Sequence, residues 1–273
     1  MTLIASWVSA DDKRKGKKIS AMYFCSDSRF TWSGTRVVQQ NVYDEGQKVF
    51  GCSNSPDIFC YCGDVQFPIF TIQPLINEID NGLFFEFGNN FEEKRNQLFE
   101  YFGLKLKDYP TDVLAHPFMI YYATCISYRF YCAKFVYDRH DFISEIISLP
   151  NESTLVFYDG SGSKQFRDRW IERDNAKMNE YKTSRNVYRC MTEAIALGKD
   201  KMTGGSPQLI GIYRNGHVQP YGIIKDNNRY FQGRILPDSA QLDNIEWRND
   251  NFERVNPHTM QLLSGAQPQP FAK

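Results

Sequence analysis

A threonine stands second in the chain, directly behind Met1, and that pairing could do acyl-transfer chemistry. A small side chain in second place is of the kind methionine aminopeptidases tolerate, so loss of Met1 would leave Thr2 with a free α-amine beside its hydroxyl. Such a residue carries nucleophile and base together. An α-amine titrating near ~8 accepts a proton at neutral pH far better than a lysine at ~10.4. The chemistry also needs a cation near the hydroxyl, a carboxylate to hold that cation, backbone donors for an oxyanion and polar groups around the amine. Candidates for each stand downstream. SDSR ends a strand with Asp27 and Arg29, and QKVFG puts Lys48 in a later strand. CYCGD sets Gly63 at a strand-to-helix junction, DGSGS surrounds Ser161 at a second one, and DKMTGG places Asp200 and Thr203 just after a helix.

Each position also has a purely structural reading. Asp27 and Arg29 suit a surface ion pair, Lys48 can reach solvent, Ser161 can cap a helix, and TGG can be only a turn.

The composition narrows the classes. With 273 residues, 42% hydrophobic and 15% aromatic, the chain can bury one large core or two small ones. A formal net charge of zero sets up no field to gather nucleic acid or an anionic membrane. Seven cysteines without a CxxC pair, a zinc-like spacing or a secretory signal point to a reducing, cytoplasmic setting with no metal and no cofactor. Cys60 and Cys62 alternate with aromatics on one strand face and read as buried packing. His116, His140, His217 and His258 are scattered, which gives no histidine triad. No apolar run approaches the ~20 residues of a membrane span.

The elements that must position these residues follow from periodicity. Thr2 to Val8 and Ile19 to Cys25 read as a hairpin with a long charged loop carrying Lys13, Arg14, Lys15, Lys17 and Lys18, a basic cluster read mainly as solvated. Strands are expected around 35–42, 47–51 and 57–62. Phe67, Phe70, Leu75, Ile76 and Ile79 then mark an apolar helix face, and NNFEEKRNQLFEYFG a second helix behind an asparagine cap. Further strands read in PFMIYYATCIS, Phe130 to Tyr137 and STLVFYDG. Helices follow in SKQFRDRW and NVYRCMTEAIALGK, the latter with Val187, Met191, Ala194 and Ile195 on one face. A closing strand pair turns at Arg214 to Gly216. Two blocks of sheet, each followed by two helices, predict an α+β fold, a four-layer αββα sandwich over residues 1–226. Residues 227–273 read as a polar extension ending in a disordered tail.

In their order along the chain, Met-Thr, SDSR, the lysine strand, the glycine junction, GSGS and DxxTGG together resemble the β subunits of the proteasome and their bacterial relative HslV, within the N-terminal nucleophile hydrolases. The resemblance covers about Thr2 to Ile224. It implies that Thr2 attacks the carbonyl, that Asp27 holds Lys48 beside the Thr2 hydroxyl, and that Gly63 lends its N–H to the oxyanion. It also implies that Ser161, Asp200 and Thr203 bracket the amine and that Tyr61 lines the substrate site. The chain departs in a longer first hairpin and in DVQFP after Gly63, where the family has small residues beginning with a second glycine. The expected protein is a cytoplasmic threonine peptidase acting on peptide or protein substrate through an acyl ester. It would work as a homo-oligomer, with an ATP-dependent unfoldase as a candidate partner. A non-catalytic ring subunit, a small-amide hydrolase and a basic-loop nucleic-acid binder are the alternatives.

Overall fold

Antiparallel pairing organises the chain from its start. β1 (Leu3–Lys13) and β2 (Gly16–Ser26) form a hairpin registered from Ile4 opposite Ser26 to Lys13 opposite Gly16. The charged stretch expected as a long loop is therefore mostly strand. Asp11 lies opposite Lys18, a cross-strand pair of unlike charge that supports the ladder. The structure, a computed structural model, describes residues 2–13, 16–32, 41–110, 114, 116–176 and 182–267, with backbone alone for 12, 13, 16 and 17. Most of the basic cluster and of the strand expected at 35–42 lie outside the described residues.

The larger sheet adds β10 (Thr154–Gly160), β11 (Gln208–Tyr213), β12 (Val218–Lys225), β13 (Asn228–Phe231) and β14 (Arg234–Ile235), in the order β10-β1-β2-β11-β12-β13-β14. β15 (Glu246–Asn249) joins β12 in parallel. A second sheet runs β5 (Val49–Gly51), β6 (Asp57–Gly63), β7 (Phe118–Ile126), β8 (Arg129–Tyr137) and β9 (Phe142–Ile147) as an antiparallel meander. β3 (Phe30–Trp32) and β4 (Asn41–Tyr43) pair separately.

The two-residue period of a strand decides which side chains go where. Ile4, Val8, Met22, Phe24, Ile210 and Ile212 turn towards Ile58, Cys60, Tyr121 and Ala123 of the second sheet. Their alternates Leu3, Ala5, Trp7, Tyr23 and Cys25 pack with residues of α3 (Ser163–Asn175) and α4 (Ser184–Ala196), where Val187, Met191, Ala194 and Ile195 are all buried. α1 (Gln66–Asp80) and α2 (Phe91–Asp108) set Phe67, Leu75, Leu98 and Phe102 into one cluster with Phe59, Tyr122 and Phe135. Of the face expected on α1, Phe70 is 64% exposed, and Ile72 takes the buried place. Asn90 caps α2 as expected: its side chain accepts from Glu93 N at 3.1 Å while the Glu93 carboxylate accepts from Asn90 N at 2.7 Å.

A regular four-layer αββα sandwich is not the clear outcome, and that expectation is corrected. The chain is mostly antiparallel β-sheet, with four α-helices among the described residues, unequal sheets of eight and five strands, and a separate two-stranded ladder. One reason lies after Asn227, where polar composition hides a spaced apolar set. Leu242, Trp247 and Val255 form a buried cluster with Ile224 that holds β13 to β15 on β12. All seven cysteines are free and buried. Among the described residues no helix is long and apolar enough to cross a membrane.

One buried charge pair ties α2 to the second sheet. Lys94 Nζ donates to both oxygens of Asp57 at 3.1 and 2.9 Å, Tyr122 OH donates to the same carboxylate at 2.6 Å, and the Ser55 hydroxyl completes the set. Removing one partner from such a pair leaves a buried charge uncompensated. Lys94→Ala is therefore expected to cost about 3–5 kcal/mol in urea unfolding; a loss under about 1 kcal/mol, the value of an exposed pair, would contradict this account.

Candidate functional site

Asp27, at the end of β2, is fully buried and collects four donors. Its Oδ1 accepts from Leu3 N at 2.9 Å and Lys48 Nζ at 2.8 Å; its Oδ2 accepts from Arg29 N at 3.1 Å and Gly204 N at 3.0 Å. One carboxylate thus joins the residue after Thr2, the lysine, the SDSR segment and the TGG segment. Arg29 is not its ion partner. That guanidinium binds Asp44 through two bonds of 2.7 and 2.8 Å, leaving Asp27 to the lysine.

Lys48 sits just before β5 and does not reach solvent. It is fully buried, and its ammonium also donates to the Arg29 carbonyl at 2.6 Å and lies 5.6 Å from the centre of the Phe30 ring. Burial pushes the pKa of this ammonium down, against the upward pull of Asp27. Lys48 and Leu3, the residue after Thr2, share one oxygen of the Asp27 carboxylate.

Thr2 is fully buried as well. Its N–H donates to Ser161 Oγ at 3.2 Å, the Ser161 hydroxyl donates back to the Thr2 carbonyl at 3.4 Å, and Gly162 N donates to the same carbonyl at 3.3 Å. The chain can pass so close because Gly160 holds φ +95° at the end of β10, where a Cβ would overlap the Thr2 carbonyl. Thr203 lies against Gly162 and donates its hydroxyl to Asp200 at 2.7 Å, so Ser161, Gly162, Thr203 and Asp200 form one connected set behind Thr2. Gly63 takes φ +94° at the last residue of β6, a conformation glycine adopts freely, with the Pro117 carbonyl where a Cβ would stand. Its neighbour Cys62 is close enough for the Lys48 charge to act on its thiol, although burial dominates and raises that thiol's pKa.

Tyr61 hydrogen-bonds to the main chain immediately before Lys48. It is fully buried, stacks on Phe50 with ring centres 6.2 Å apart and donates to the Gln47 carbonyl at 3.2 Å. On β6 its side chain falls on the helix-covered face, opposite in sense to Cys60 and Cys62.

Gln208 was not singled out from the sequence. Fully buried at the start of β11, it accepts from Lys48 N at 3.0 Å and donates to the carbonyls of Asp27 at 3.0 Å and Gly46 at 2.7 Å. A glutamine heading an apolar strand behind a proline is the one signal the sequence offered. Asp44 and Gly204 were missed for the same reason, since their roles are long-range hydrogen bonds.

No protein-family model and no curated protein sequence matches the chain. Among solved structures, Anbu (ancestral beta-subunit) from Yersinia bercovieri is similar at 14% identity, over 80% of this chain and 86% of that one, with a TM-score of 0.50. An Anbu mutant from Hyphomicrobium sp. strain MC1 is similar at 12% identity over 80% and 85% of the two chains, with a TM-score of 0.48 too low to argue from. The first likeness shows the fold alone. It also corrects the narrower resemblance drawn from the motifs, because the likeness that carries weight is to an Anbu protein rather than to a proteasome β subunit or HslV. Motifs of two to four residues at element ends mark a broad fold and do not separate its branches.

Replacing Gln208 by leucine keeps its bulk but strands the Lys48 N–H and the Gly46 carbonyl inside the site, the Asp27 carbonyl keeping the Ser26 hydroxyl, at about 1–3 kcal/mol for each buried group left unsatisfied. Gln208→Leu should lose at least about 2 kcal/mol in chemical unfolding; an unchanged midpoint would show that the amide bridges nothing of consequence.

Proposed function

We propose that this chain is a threonine-type amidohydrolase acting on peptide bonds through Thr2 after Met1 is removed. The observation that carries the reading is the buried Asp27 carboxylate bonded at once to Lys48 Nζ and to the amide of Leu3, next to Thr2. In the proposed reaction the freed Thr2 amine takes the hydroxyl proton as Oγ1 bonds to the substrate carbonyl carbon. Lys48 favours the deprotonated hydroxyl and Gly63 N–H meets the oxyanion. The C–N bond then breaks, the leaving amine takes the proton, and water hydrolyses the acyl ester to restore Thr2. Ser161 bonds the Thr2 nitrogen, with Asp200 and Thr203 behind it, which suits a bracket for the amine. Because Thr2 and Lys48 are both fully buried, attack requires part of their cover to be displaced; removal of residue 1 is the change this reading invokes.

A second reading, a non-catalytic assembly subunit, is favoured by that same burial. Assembly with like subunits fits both readings, since Phe70, Leu83, Phe87 and Leu104 on and between α1 and α2 are exposed apolar surface.

Intact mass of active protein should show Met1 absent. Thr2→Ala should then abolish peptide hydrolysis and labelling by threonine-directed electrophiles while the melting temperature holds. Lys48→Arg should lose about 10²-fold or more in kcat, because a guanidinium neither fits the pocket nor releases a proton near neutrality. Turnover near wild type in the Thr2→Ala protein would place the nucleophile elsewhere, and an inert wild type lacking Met1 would favour the assembly subunit. Light scattering should give a mass several times the 31.8 kDa of one chain; a stable monomer would remove the assembly element from both readings.

A further inference from the structure

In the loop between α1 and α2 one aromatic ring stands clear of the described residues. Phe87 is 110% exposed, and Leu83 in the same loop is 77% exposed. The loop that carries them is well held. Phe84 packs edge-on against Phe85 and Tyr101 with ring centres 5.0 and 5.3 Å apart, and Lys94 Nζ lies 4.3 Å from the centre of the Phe85 ring. Asn89 N donates to the Glu86 carbonyl at 3.2 Å and closes a turn that presents Phe87 outward. Glu86, beside the ring, is exposed and has no cation partner among the described residues.

Farther along α2 lies a groove of about 860 Å³, walled by Phe99, Leu104 and Leu106 of the helix and by Tyr137 and Phe142 of β8 and β9. Gly103 lines it too. Glycine inside a helix is destabilising relative to alanine, and no close approach within the chain requires this one, since a Cβ there would meet Phe142 only at 3.8 Å, an ordinary contact. The space it leaves belongs to the groove. Lys107, Arg139 and His140 stand at the rim with Glu100, and neither Lys107 nor Arg139 has a carboxylate partner among the described residues.

We propose that this groove receives Phe87 of a second copy of the chain, with that copy's Glu86 set against Arg139 and Lys107. An aromatic anchor in an apolar pocket, with charge paired at its edge, is the common form of an interface hot spot. Ring and groove cannot meet within one chain, because α2 from Phe91 to Gly103 already separates them by about 18 Å at about 1.5 Å per residue. The contact is completed twice over in a two-fold pair or once per neighbour around a ring. It rests on the assembly with like subunits set out above and is independent of hydrolysis.

Light scattering and sedimentation at micromolar concentration test the contact, with melting curves of each variant to report folding. Wild type should give a mass of two chains or more. Phe87→Ser should raise the dissociation constant about thirtyfold or more. Gly103→Leu should do the same by filling the groove, while the melting temperature of the separated chain holds or rises because leucine is the better helix former. Arg139→Glu should weaken association about fivefold, and Glu86→Arg added to it should restore part of the loss, since the pair is then reversed and not broken. A monomeric wild type would overturn the contact and the assembly reading together. An assembled wild type whose mass is unchanged in Phe87→Ser or in Gly103→Leu would overturn the contact alone, and a double variant no better associated than Arg139→Glu would overturn the placing of Glu86.

Discussion

The Asp27 carboxylate is the point on which the arrangement depends. Four donors from four separate segments converge on two oxygens in a volume without solvent. In such a place a carboxylate survives only if its lone pairs are met, and Lys48 survives only beside it. The first strand, the lysine and the TGG segment are therefore mutually dependent: moving any one leaves a charge or a polar group stranded. Gln208 reinforces the lock from the backbone side by bridging the same residues through their amide and carbonyl groups.

A second buried pair, Lys94 with Asp57, uses similar chemistry for another end. Its lysine comes from α2 and its carboxylate from the first residue of β6, so it fixes helix to sheet far along the chain from Thr2. Lys94 also lies over the Phe85 ring at 4.3 Å, which supplies part of the environment a desolvated ammonium needs. The two pairs differ in what surrounds them. Asp57 is met by side chains, whereas three of the four donors on Asp27 are backbone amides, which cannot rotate away. Backbone donors make the more rigid cradle, as a site that must hold an ammonium at one place requires.

The part of the molecule after Asn227 changes the setting of this site. β13 to β15 extend the larger sheet beyond β12, and the chain that follows β15 brings Asp250 to within a hydrogen bond of α4, where its carbonyl accepts from Thr192 at 3.2 Å. Without those residues the outer side of the TGG segment would face solvent. With them, it lines a half-open cavity whose far wall includes Asp226 and Asp250.

What the sequence by itself determined is local. The asparagine cap of α2, the apolar face of α4, the strands around β6, β7, β8 and β10, and the glycine junctions at Gly63 and Gly160 were legible, because each rests on residues within a turn or a strand of one another. The order of short motifs also brought Thr2, Asp27, Lys48, Gly63, Ser161, Asp200 and Thr203 forward as a set, through a resemblance rather than through any one spacing. Partner choice was decided only in three dimensions. That Asp27 takes Lys48 while Arg29 takes Asp44, that Tyr61 turns into the core, that Gln208 closes the site and that a polar-looking C-terminal segment buries Trp247 all depend on contacts between residues far apart in the chain. Hydrogen bonds and burial at that range leave no periodic trace in the sequence, since nothing in a glutamine or a tryptophan records which distant strand will come to lie against it.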